Sequence, residues 1–207
     1  MKYWQLITHL GSISLLLPTL IIALITLWQS KQKSTAFTWL TALSVVIALT
    51  VLSKILFMGW GVGIASLNFT GISGHTLLAT SILPILFYSV IGKPKTKSKN
   101  IGLWIGLLLS ILVGVSRFVL GMHSMSEVVA GWALGLLVCS IVLTTIHYHH
   151  QGYAYLQLTF LICLLGLGTA TPNFIPSHSM ETKLALYLSG HDKPYTRADL
   201  KIAKNQI

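Results

Sequence analysis

Six stretches of apolar side chains, each about the length that crosses a hydrocarbon layer and almost free of charge, constrain this chain more than any other feature. They fall at about 12–28, 36–58, 73–91, 101–116, 123–146 and 153–170. A helix satisfies its own backbone hydrogen bonds and spans the hydrocarbon in roughly 20 residues, so each stretch reads as a membrane-crossing helix. Charged residues make up 9% of the 207 positions, where an ordinary soluble domain carries about a quarter. The expected fold is all-α: a polytopic membrane helix bundle of about six transmembrane helices. Residues 1–172 form this helical domain and 173–207 a polar C-terminal tail, with no room for a separate soluble domain.

The formal charge of +10 comes mainly from Lys and Arg placed between the apolar stretches and in the tail. That distribution suits positive-inside topology signals and anionic lipid headgroups, and argues against a nucleic-acid partner. Lys31 and Lys33 follow the first stretch, Lys93, Lys95, Lys97 and Lys99 the third, and His147, His149 and His150 the fifth. These connections fall on one side, which the lysine count makes cytoplasmic. The connections at 59–72 and 117–122 and both termini then face outward. Lys2 precedes an apolar stretch with no small-residue cleavage site, so an uncleaved first span is expected. Tyr3 and Trp4 suit either an interfacial segment or an extension of that span. Cys139 and Cys163 lie inside apolar stretches without metal-ligand spacing and read as packing residues. His147, His149 and His150 lack a second ligand group, and no metal is expected there.

Glu127 is the one acidic residue in the first 180 positions, and it falls near the start of the fifth apolar stretch. An ionisable group there is costly unless it has a partner or faces a polar cavity. His123 lies four residues earlier, on the same helical face, so the carboxylate can hold one imidazole nitrogen and leave the other directed outward. That arrangement serves a structural pair as well as a nucleophile or proton carrier. Arg117, beside Ser116, presents a planar fork of donors suited to phosphate oxygens or to lipid headgroups. Ser73 and Gly74 open the third span, where free N–H groups either are capped or attract an anion. His75 adds a group able to protonate a leaving oxygen. Lys54 is embedded near the outer end of the second span, and snorkelling to the interface would also account for it. All of these converge on one membrane side. Gly131 and Gly135 continue the Glu127 face in steps of four and predict close helix packing behind it.

In order and spacing these residues resemble the signature of the type-2 phosphatidic acid phosphatase superfamily, which includes lipid phosphatases. Ser116-Arg117, five residues, His123, three residues, Glu127 matches its third part, with Glu in place of Asp. Ile72-Ser73-Gly74-His75 matches the second part without its proline. In the first part Lys54 is present, but Gly61-Val62 stands where the pattern has Arg-Pro, so one phosphate-binding cation is missing. The resemblance covers about residues 36–146. It implies hydrolysis of a lipid phosphomonoester or diphosphate without metal or other cofactor. His123 would be the nucleophile, Glu127 its partner and His75 the general acid and base, while Lys54, Ser73, Gly74 and Arg117 would hold the phosphoryl oxygens. Polyprenyl diphosphate, phosphatidate and phosphatidylglycerol phosphate fit equally. The expected setting is a bacterial inner (plasma) membrane with the site facing the periplasm or exterior. Phosphotransfer to another acceptor, or lipid-phosphate binding or transport without turnover, are the alternatives.

Overall fold

The computed structural model describes residues 2–91, 98–146 and 177–204. Over these residues the protein is helical, with one isolated antiparallel bridge between Ile64 and Phe69. A short helix α1 (Lys2–His9) leads into α2 (Ile13–Gln29), α3 (Lys33–Trp60), α4 (Gly74–Ile91), α5 (Ser98–Val119) and α6 (Met125–Thr145). Two helices follow near the C-terminus, α7 (Ser177–Ser189) and α8 (Arg197–Lys204). Five of the six apolar stretches thus form helices close to their expected bounds. The stretch at 153–170 lies outside the described residues, as do Cys163, His147, His149 and His150. Four helical segments are long and apolar enough to cross a membrane: Lys2–Gln29, Lys33–Trp60, Asn100–Val119 and Met125–Thr145. α4 is a shorter apolar helix.

The first of these segments is broken. Leu10, Gly11 and Ser12 turn the chain between α1 and α2, with their N–H groups bonded to Ile7, Thr8 and His9. α1 is therefore a separate helix, packed on α5 and burying Thr8.

α4 is the central helix, in contact with α2, α5 and α6. It is apolar around its whole circumference and buried from Thr76 to Leu86 apart from Leu78, as expected of a helix enclosed by others. Leu77, Ile82 and Leu83 meet Leu16 of α2, Val113 of α5 and Val138 of α6 in the main core. The outward faces are also apolar. Val45, Leu49 and Leu52 on α3, Trp104 and Leu108 on α5, and Val129 and Leu137 on α6 are all exposed. Exposed apolar faces of this size on three helices need a covering other than water.

Close approach of α6 to α4 depends on Gly131 and Gly135, both buried. A Cβ at Gly131 would lie 2.9 Å from the Ser73 carbonyl oxygen, and one at Gly135 would lie 2.5 Å from Thr80 Cβ. The glycines thus bring α6 onto the start of α4, as their spacing predicts. At the opposite end Thr35 Oγ1 donates to the Thr145 carbonyl at 2.6 Å and ties α3 to α6. Gly135→Ala should lower the thermal unfolding midpoint of the detergent-solubilised protein, since overpacking a tight contact costs about 1–3 kcal/mol. An unchanged midpoint would mean that the α4–α6 contact is not tight.

Candidate active site

The chemistry-bearing residues gather where α3, α5 and the connections before α4 and α6 end. α3 stops at Gly61, whose left-handed φ of 71° terminates the helix, with its N–H on the Phe57 carbonyl. A tight loop follows, closed by reciprocal backbone bonds between Ile64 and Phe69. Gly71 then passes over Lys54, where a Cβ would stand 2.8 Å from Lys54 Cγ. α6 starts with a capping box: Ser124 accepts from the Glu127 N–H, and the Glu127 carboxylate accepts from the Ser124 N–H at 3.0 Å. This cap turns Glu127 back toward the preceding turn, where His123 sits.

Glu127 is fully buried. Its Oε2 lies 2.7 Å from His123 Nδ1. Its Oε1 accepts from the Thr70 N–H at 2.7 Å and from Thr70 Oγ1 at 2.6 Å. Arg197 Nη2 reaches both oxygens at 2.9 Å. A carboxylate so supplied with donors stays ionised and can only accept. His123 Nδ1 therefore carries the proton, and in the neutral ring the lone pair is on Nε2. His123 itself is in the connection between α5 and α6. Burial pushes its imidazole below the ordinary value, with Arg117 and Lys54 adding to the lowering and Glu127 opposing it.

A cavity of about 600 Å³ opens beside this pair, lined by Lys54, Gly74, His75, Arg117 and His123 among others. Five of the seven residues singled out from the sequence thus share one cavity wall. Glu127 stands behind His123. Ser73, expected on the phosphate, is instead fully buried with its Oγ 2.9 Å from Thr76 Oγ1. Its backbone N–H donates to the Glu127 carbonyl at 3.2 Å and joins α4 to α6. Arg117 donates from Nη1 to Thr8 Oγ1 of α1 at 3.2 Å, and its buried Nε has no partner among the described residues. Nη2, which makes no hydrogen bond among the described residues, is therefore the part of its fork open to an anion.

Sequence reasoning missed the contribution of the C-terminal residues. His178, Thr182, Pro194, Tyr195, Thr196 and Arg197 also line the cavity. Glu181 of α7 holds the Lys54 ammonium through both carboxylate oxygens at 3.0 Å. Arg197, the first residue of α8, binds the Asn68 carbonyl through Nη1 at 2.9 Å as well as Glu127. A small apolar cluster of Ile55, Phe57 and Met58 with Ala185 and Leu200 seats both helices on α3. Nothing local in residues 177–204 marks these roles. The one signal was Glu127 itself, a buried charge with more acceptor sites than His123 can fill.

Among the described residues no group of three or more His, Cys, Asp or Glu side chains is placed to hold a metal ion.

Fold and site define a helical bundle with a cationic cavity next to a carboxylate-held histidine. The PAP2 superfamily matches residues 8–151, and the chain belongs to that superfamily. It is 33% identical to an uncharacterized 22.5 kDa protein in the cps region of Klebsiella pneumoniae, over 95% of this chain and 97% of that protein. It is 29% identical to phosphatidylglycerophosphatase B of Bacillus subtilis (strain 168), over 66% of this chain and 70% of that protein. No solved structure matches it. Family and relative together support a lipid-phosphatase kind of function.

Removing the Glu127 carboxylate would leave the buried Ser124 N–H and the partly buried donors of Thr70 and Arg197 without their acceptor. Glu127→Ala should therefore destabilise the solubilised protein by at least about 1–3 kcal/mol. Thermal unfolding followed by circular dichroism checks this, and an unaltered midpoint would contradict it.

Proposed function

We propose that the chain is an integral membrane lipid phosphatase that cleaves a phosphomonoester or diphosphate through a phosphohistidine at His123, without a metal. The observation that carries this reading is the 2.7 Å contact between His123 Nδ1 and the Glu127 carboxylate, with Nε2 left as the basic nitrogen beside Lys54, His75 and Arg117. Burial, by lowering the tendency of His123 to protonate, keeps that lone pair available near neutral pH.

The reaction runs in two displacements. The Nε2 lone pair forms a bond to phosphorus as the bond from phosphorus to the lipid oxygen breaks, and His75 gives a proton to the departing oxygen. Burial and the neighbouring cations keep His75 neutral until the bound phosphate anion offsets them and lets it take up that proton. Glu127 stabilises the positive charge that develops on the ring of His123. Neutral His75 then takes a proton from water as the water oxygen attacks phosphorus. The bond from phosphorus to nitrogen breaks, inorganic phosphate leaves, and both histidines return to their starting states.

Arg117 and the Gly74 N–H hold phosphoryl oxygens, the first through Nη2 and the second as an open donor at the start of α4. An ammonium has three N–H donors, so Lys54 can bond Glu181 and a phosphoryl oxygen together. Ser73 acts behind them, through the turn that presents Gly74. The exposed apolar faces of α3, α5 and α6 support a bilayer around the bundle. A substrate lipid then reaches the cavity laterally with its tail still in the membrane, from the outward face. Polyprenyl diphosphate, phosphatidate and phosphatidylglycerol phosphate are the candidate substrates, and the Bacillus relative's name favours the last.

Purified protein in detergent should release inorganic phosphate from one of these lipids with chelator present. His123→Ala should lower the rate by about a hundredfold or more. Normal turnover in that variant would remove the nucleophile from the account, and loss of wild-type activity with chelator would remove the metal-free mechanism.

A further inference from the structure

We propose that Arg197 is a positioning residue for His123: it anchors the carboxylate of Glu127 from the segment that fills the space beside Gly61. The proposal rests on the reading of His123 as nucleophile given above.

The space beside Gly61 is taken by another part of the chain. A Cβ at Gly61 would lie 3.1 Å from two ring atoms of Tyr195, two positions before Arg197. The segment carrying them is tied down along its length. His191 Nδ1 donates to the Gly59 carbonyl at 2.7 Å, and the Tyr195 N–H donates to the Met58 carbonyl at 2.9 Å. Thr196 gives its N–H and its hydroxyl to Asp199 Oδ2, both at 2.7 Å, which caps α8 and fixes the direction in which Arg197 leaves the backbone. Leu200 packs into the apolar cluster on α3.

So delivered, the guanidinium meets protein acceptors. Nη2 bonds both oxygens of Glu127 and Thr70 Oγ1, the last at 3.1 Å, while Nη1 holds the Asn68 carbonyl. Arg197 thereby clamps the loop before α4 to the carboxylate that orients His123. A point-charge ammonium cannot make this fork, because it lacks the planar set of donors. The groups facing His123 are Glu127 of α6, Arg117 of α5, Lys54 of α3 and His75 of α4, with Arg197 acting through Glu127. Arg197 draws on the same carboxylate as His123. It therefore limits how strongly Glu127 favours the imidazolium and keeps the ring neutral before attack.

The test uses full-length Arg197→Gln and Arg197→Lys in detergent micelles, with thermal unfolding to verify the fold. Steady-state kinetics on phosphatidate and on phosphatidylglycerol phosphate give kcat and KM. A pH titration of ¹³C-labelled histidine by NMR follows His123, whose signal is identified by its loss in His123→Ala. Arg197→Gln should lower kcat by roughly 10- to 100-fold, as loss of the partner behind an oriented imidazole does elsewhere, with KM little changed. Its His123 midpoint should move upward. Arg197→Lys should recover part of kcat with a smaller shift, and it carries both readouts if the Gln variant does not fold. A folded variant with unchanged kcat, a kcat loss with the His123 midpoint unmoved, or an effect on KM alone would each overturn the proposal. Absence of wild-type turnover would count against the phosphatase reading, while the titration would still decide the role of Arg197.

Discussion

One buried carboxylate organises this protein. A negative charge removed from water is costly unless donors surround it, and Glu127 receives them from separate parts of the chain. Thr70 comes from the loop before α4, His123 and Ser124 from the turn before α6, and Arg197 from the start of α8. Each partner fixes a different segment, so the pairing that orients His123 also sets how the loops meet. The glycines at 131 and 135 belong to the same arrangement. They let α6 approach α4 closely enough for the Ser73 N–H to reach the Glu127 carbonyl.

Around this centre the charges are divided between structure and substrate. Arg197 and His123 face Glu127, and Lys54 faces Glu181. Of the Lys and Arg side chains lining the cavity, Arg117 alone has no carboxylate against it among the described residues, and its Nε is unpartnered. The strongest available anion-binding group therefore sits where the proposed phosphoryl transfer takes place. Reserving a guanidinium for the substrate while neutralising its neighbours in pairs limits the cost of gathering cations in an enclosed cavity.

Much of this was legible in the residue order. Apolar stretches marked five helices to within a few residues, because a long run of apolar side chains is closed off by the polar connections at both its ends. The contact between His123 and Glu127 was expected from a spacing of four on one helical face. His123 lies instead in the turn before α6, and it is the capping box at Ser124 that brings the Glu127 carboxylate back to it. Gly131 and Gly135 were readable because both lie inside α6, where steps of four do share one face. Contacts between distant segments were not. Glu181 lies 127 positions from Lys54, and Arg197 lies 70 from Glu127. Pairing over such separations is set by how α7 and α8 dock on α3, which no local pattern encodes. Ser73 shows the converse: its neighbours Gly74 and His75 reach the cavity, while its own hydroxyl turns inward to Thr76. The break at Gly11 and the capture of Arg117 by Thr8 likewise depend on how α1 packs on α5.

Turnover through a phosphohistidine requires His123 Nε2 to act as the acceptor of phosphorus. Rapid acid-free quenching of the enzyme with a lipid phosphate labelled on its phosphoryl group, followed by peptide mass spectrometry, tests that directly. A labelled phosphoryl group on Nε2 of His123 is the predicted result. Label on another side chain, or phosphate release with His123 never modified under conditions that preserve phosphohistidine, would contradict it.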